Sequence, residues 1–90
     1  MSSDDTGLRA RRSVQLLIER FPHVHAVALR LLDQHEAFRD LLEEYEVCSD
    51  VVERLSRTGA GSAMFKEYTA LRLRLEGELL RYIAEHWHSQ

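Results

Sequence analysis

Apolar positions recur along this chain at helical spacing, and nowhere with the strict alternation of a half-buried strand. After a polar start, Val14, Leu17, Ile18 and Phe21 give a first helix over residues 7–20 one apolar face. Residues 1–6 read as a disordered tail, with Asp5 or Thr6 placed to cap that helix. Pro22 lacks a backbone N–H and disfavours helical geometry at Phe21, so a break is expected there. Proline also suits the first turn of the helix that follows. Beyond it, Val24, Ala28, Leu31, His35, Phe38, Leu42, Tyr45, Cys48, Val52 and Leu55 step by 4, 3, 4, 3, 4, 3, 3, 4 and 3. This heptad seam, with one irregular step near Tyr45, predicts a single long helix over about 23–57. "RTGAGS" ends it, with Gly59 as a left-handed cap and Ser62 as the next start. A last helix over about 63–87 carries Met64, Tyr68, Leu71, Leu75, Leu79, Tyr82 and His86 at steps of 4, 3, 4, 4, 3 and 4.

A short loop folds the two long segments back on each other, so facing residues should have numbers that sum to about 119–121. The seams obey this: Leu55 with Met64, Val52 with Tyr68, Cys48 with Leu71, Tyr45 with Leu75, Leu42 with Leu79, Phe38 with Tyr82. Two independent patterns agree on one register. The expected fold is all-α: one domain over residues 7–90, a long antiparallel, coiled-coil-like helical hairpin preceded by a short N-terminal helix.

The last helix has a second stripe: Ala70, Leu73, Gly77, Leu80, Ala84 and Trp87, stepping by 3, 4, 3, 4 and 3. Its small residues would let another helix approach closely. A two-helix hairpin buries only one seam, which is little core for a chain of this length. Something is therefore expected to cover a second face: the first helix folded back, or a second copy in a homodimer. The homodimer is the reading taken here.

The stretches "FPHVHAVALRLL", "AFRDLLEEYEVCSDVVERL" and "YTALRLRLEGELLRYI" span about residues 21–83. With Phe21, Pro22, Phe38, Leu41, Tyr45, Leu71, Leu75 and Leu79 in place, they resemble the YdcH-like family of small bacterial proteins. That resemblance implies a helical hairpin and brings no established activity. Where the family reads a lysine-containing "LKDE", this chain has "LEGE", with Glu76 and Gly77 at its centre.

Composition narrows the function classes. With 44% hydrophobic and 30% charged residues, the chain has a globular composition, not a disordered one. One cysteine, Cys48, permits no internal disulfide and fits a reducing compartment. No apolar run approaches a membrane span, and the start lacks the apolar core of a signal peptide, so a cytoplasmic protein is expected. The net charge of −3 conceals a gradient. Residues 1–30 hold five arginines against three acids, residues 31–58 three against eight, and the remainder balances. A weakly acidic protein does not attract polyanions over its whole surface. Only Arg9, Arg11 and Arg12 form a basic cluster that could contact phosphates, and no stacking aromatics interleave with it.

Catalytic chemistry finds little footing. His23 with His25, and His86 with His88, are two apart, on opposite sides of a helix, and do not converge on one ion. His35 lies in the seam and pairs with His86 by the same register, so a pH or metal role for the two is the third reading. Cys48 is in the seam, where a thiol is inert. The acids of residues 33–53 should mostly face water, and a thin hairpin offers no pocket for paired carboxylates. No metal, cofactor or catalytic residue is expected. The chain reads as a non-catalytic interaction module that partners itself and an unidentified protein, but not a membrane. Nucleic-acid binding through the first helix is the alternative.

Overall fold

The structure, a computed structural model, is all-helical and describes residues 12–59 and 62–87. The expected tail, its Asp5 or Thr6 cap, Arg9, Arg11, His88 and the capping side chain of Ser62 lie outside the described residues. Helix α1 is described over residues 12–20. A 3-10 turn, Pro22–Val24, leads into α2, His25–Gln34; then come α3, Glu36–Thr58, and α4, Ser62–Glu85. Phe21 is non-helical, at φ −133 and ψ 72, and Pro22 opens the next turn, where its missing N–H costs nothing. Gly59 ends α3 with φ 66, and its N–H bonds Leu55 O at 3.1 Å.

The long helix expected over 23–57 is two helices. His35 is extended, at φ −126 and ψ 111, and separates α2 from α3. No proline or glycine marks the break. Side chains stabilise it instead. The guanidinium of Arg39 donates to Leu32 O at 2.8 Å, replacing a lost helical N–H. The ring of His35 turns toward Tyr82, with Nδ1 and the phenol oxygen 3.0 Å apart. Arg30 of α2 donates to His86 O, just past the end of α4, at 2.7 Å. The interruption thus lets α2 reach α4 as well as α3.

One hydrophobic cluster draws on every helix. Val14 and Leu17 come from α1, Ala28 and Leu31 from α2, Phe38, Leu42 and Tyr45 from α3, and Leu75, Leu79 and Ile83 from α4. Between α3 and α4, the Phe38 and Tyr82 rings lie 5.5 Å apart, Tyr45 bonds Glu76, and the Cys48 thiol donates to Tyr68 O at 3.2 Å. Later residues of α3 thus meet earlier residues of α4.

The apolar face of α4 is rotated from the expected seam. Phe38, Leu42, Tyr45, Cys48, Val52, Leu75 and Leu79 are buried, and Leu55, Tyr68 and Tyr82 are half-buried. Met64 and Leu71 are 53% and 36% exposed, so neither is a core residue. In their place Glu76 and Ile83 are buried. The cause is α1 and α2, which supply Val14, Leu17, Ala28 and Leu31 to the same core. A helix shared between several neighbours centres its buried face between them, not on the line toward one.

Candidate interaction surface

The buried polar groups show what fixes α1. Ser13 and Arg20 are seven apart and share a helical face with Leu17 between them. Ser13 Oγ donates to Glu46 Oε1 of α3 at 2.9 Å, while Arg20 Nε lies 2.6 Å from Glu76 Oε2 of α4. Tyr45 Oη donates to the same Glu76 oxygen at 2.6 Å. Glu76 is only 3% exposed, so two strong donors converge on a carboxylate removed from water. Burial, and then the hydrogen bond to Glu76 and its charge, push the Tyr45 phenol well above its ordinary value, although Arg20 and Arg72 pull the other way.

A raised phenol is a stability statement. Below the ordinary value of 10.0, Tyr45 is neutral in both folded and unfolded chains, and its contribution is intact. Above it the unfolded chain loses a proton that the folded chain keeps, so stability should fall as pH rises. Chemical denaturation across alkaline pH should show this loss, and Tyr45→Phe should flatten it. An equal alkaline loss in Tyr45→Phe would mean that another group controls it.

At the far end of the α3–α4 contact, the structure brings His35 and His86 together, with ring centroids 4.6 Å apart. His86 also stacks on Tyr82 at 4.5 Å, and its Nδ1 lies 2.8 Å from Tyr82 O. Among the described residues, no three or more His, Cys, Asp or Glu side chains are grouped to hold a metal ion. Cys48 is buried, and burial raises its thiol. Its Sγ–H is engaged by Tyr68 O, which suits packing and not attack on a substrate.

What α4 leaves uncovered is apolar. On its outer face Ala70, Gly77 and Ala84 are exposed, Leu73 is 57% and Trp87 39% exposed, and Leu80 packs partly against the core. A Cβ added at Gly77 would meet nothing within 4 Å. Helix α1 therefore covers the Glu76 flank and not this stripe. On the other side of α4, an open groove of about 570 Å³ runs along α3, lined by Asp40, Glu43, Glu44, Val47, Cys48, Tyr68, Leu71 and Leu75. Arg12 lines a smaller pocket with Glu43, Glu46, Val47 and Asp50.

Sequence reasoning missed Ser13, Arg20, Glu46, Glu76 and the exposed Val47. Glu46 and Glu76 sit one residue past the seam positions Tyr45 and Leu75, where a helix turns toward a third neighbour. Only the placement of α1 tells which flank is dry. No helix among the described residues is long and apolar enough to cross a membrane. No family model, curated protein or solved structure shows significant similarity to this chain.

Proposed function

We propose that the chain is a non-catalytic interaction module that self-associates through the outer face of α4. In this reading α3 and α4 form an antiparallel helical hairpin, with α1 and α2 folded against it. The carrying observation is the uncovered stripe, with Leu73 57% exposed and open space at Gly77. Exposed apolar residues at heptad spacing around a small residue favour a second helix at short range. The resemblance to the YdcH-like hairpins is in keeping with this reading, as is a cytoplasmic setting. Because α1 and α2 already complete the chain's own core, the second copy serves assembly and is not needed for folding.

Sedimentation equilibrium at micromolar concentration should give about twice the chain mass. Gly77→Ala tests the face itself. In the dissociated chain the new methyl meets no neighbour, so the substitution should stabilise by about 1 kcal/mol. Where another helix lies close, the same methyl overpacks the contact, and the dimer should weaken by roughly 1–3 kcal/mol. A stable monomer at all concentrations, or association unchanged by Gly77→Ala, removes this interface.

Anion binding through Arg9, Arg11 and Arg12 has less support. Arg12 shares its pocket with Glu43, Glu46 and Asp50, whose charges repel a phosphate. Retention on DNA at low salt, lost near about 0.2 M, is the result that would restore that reading.

A further inference from the structure

We infer that the groove between α3 and α4 is a docking site for a cationic amphipathic helix of a second protein. The inference rests on the interaction-module reading but concerns a different face, because Tyr68 and Gly77 are nine residues apart. At about 100° per residue, they lie on opposite sides of α4.

Shape and polarity define the occupant. The floor of the groove is apolar, and its two outer members, Val47 and Leu71, are 63% and 36% exposed. Asp40, Glu44 and Val47 recur at i, i+4 and i+7, so acids and an aliphatic side chain share one ridge of α3. Among the described residues neither Asp40, Glu43 nor Glu44 is paired with a cation. Arg12 lies in the neighbouring pocket, beyond Glu43, and leaves Asp40 and Glu44 facing the groove. Like charges crowded beside exposed apolar groups repel one another and keep the groove hydrated. A helix that brings leucine-like side chains to Val47 and Leu71 and basic residues to Asp40 and Glu44 relieves both conditions at once. A straight helical segment fits because both walls are helices.

A second copy is the competing occupant, since Arg74 and Arg81 flank Leu73 and Leu80 on the outer face of α4. That arrangement is heterologous. A copy that seats its outer face in a neighbour's groove leaves its own groove open to the next, so it extends into chains and does not close as a dimer.

The test uses the full chain and a synthetic peptide of three leucine heptads with lysine along both edges, against a counterpart with glutamate at those edges. Fluorescence anisotropy should show the lysine peptide binding at least about tenfold more tightly, with the preference shrinking as salt rises. The double variant Asp40→Lys/Glu44→Lys should lose about tenfold in affinity for the lysine peptide. Val47→Asp should lose at least as much, and Asp33→Lys, on α2, should change nothing. All four changed side chains are exposed, and circular dichroism checks that the fold survives. Equal binding of both peptides, or of neither, overturns the proposal. So does a result in which the double variant retains peptide affinity but lowers the chain's own association, which would assign the groove to a second copy. Self-association unchanged by Gly77→Ala, with peptide binding intact, removes only the self-association reading.

Discussion

Leu42→Ala and Leu79→Ala should each lower the unfolding free energy by about 2–5 kcal/mol, among the largest losses any single truncation here can cause. Both side chains are fully buried, on α3 and α4 respectively, and both belong to the one core cluster. Leu42 lies one turn from Phe38 and from Tyr45, and Leu79 one turn from Leu75 and from Ile83. Such neighbours are too bulky to collapse into the space a leucine leaves, which puts the cost toward the upper part of that range. Their numbers sum to 121, the register in which Tyr45 meets Glu76 and His35 meets His86. The double variant should therefore depart from additivity by more than about 0.5 kcal/mol, because both truncations open one shared cavity. Urea denaturation of the four proteins measures this. Clean additivity would mean that the two leucines occupy separate parts of the core.

The same register shows why part of this fold is legible in the sequence. Heptad spacing needs only the identity of residues along one helix, and a left-handed cap needs only a glycine such as Gly59. Pro22 acts on its own backbone and on Phe21, so the break between α1 and α2 can be read locally. The break at His35 cannot. It has no proline or glycine, and its stabilising contacts come from Arg39 a turn further on and from Tyr82 on another helix. The burial of Glu76 is illegible for a related reason. A carboxylate beside a seam ordinarily faces water, and only the arrival of Arg20 with α1 makes the Glu76 flank an interior one. The outer stripe of α4 is visible as a pattern. What covers it is not visible, because covering α4 is a property of three elements together: α1 and α2 take one flank, and α3 takes another.

That dependence on α1 makes Arg20 the residue whose loss tells most about the buried network. Arg20→Met leaves Glu76 with Tyr45 as its donor among the described residues, and a carboxylate without its cation in a dry site is destabilising. Half of the Arg20 side chain is in water, at 49% exposure, so the cost should be about 1–3 kcal/mol and not the full loss of an enclosed pair. Tyr45→Phe removes a hydrogen bond to a charged acceptor and should cost about 1.5–3 kcal/mol. The triple variant Arg20→Met/Tyr45→Phe/Glu76→Met should behave differently from either. It removes the charge, both donors and the need for them, and replaces them with side chains of similar volume. It should regain stability to within about 1 kcal/mol of the natural chain, because a buried ion pair offers little net gain over apolar packing. Hydrogen exchange then separates stability from position. If the polar contacts only repay their own desolvation, α1 in the triple variant should stay as protected as before. If they fix where α1 sits, its amides should exchange faster although global stability has returned, and the Glu76 flank of α4 should open to solvent. A triple variant as unstable as the summed single changes would overturn this account and make the Arg20–Glu76–Tyr45 network a net source of folding free energy.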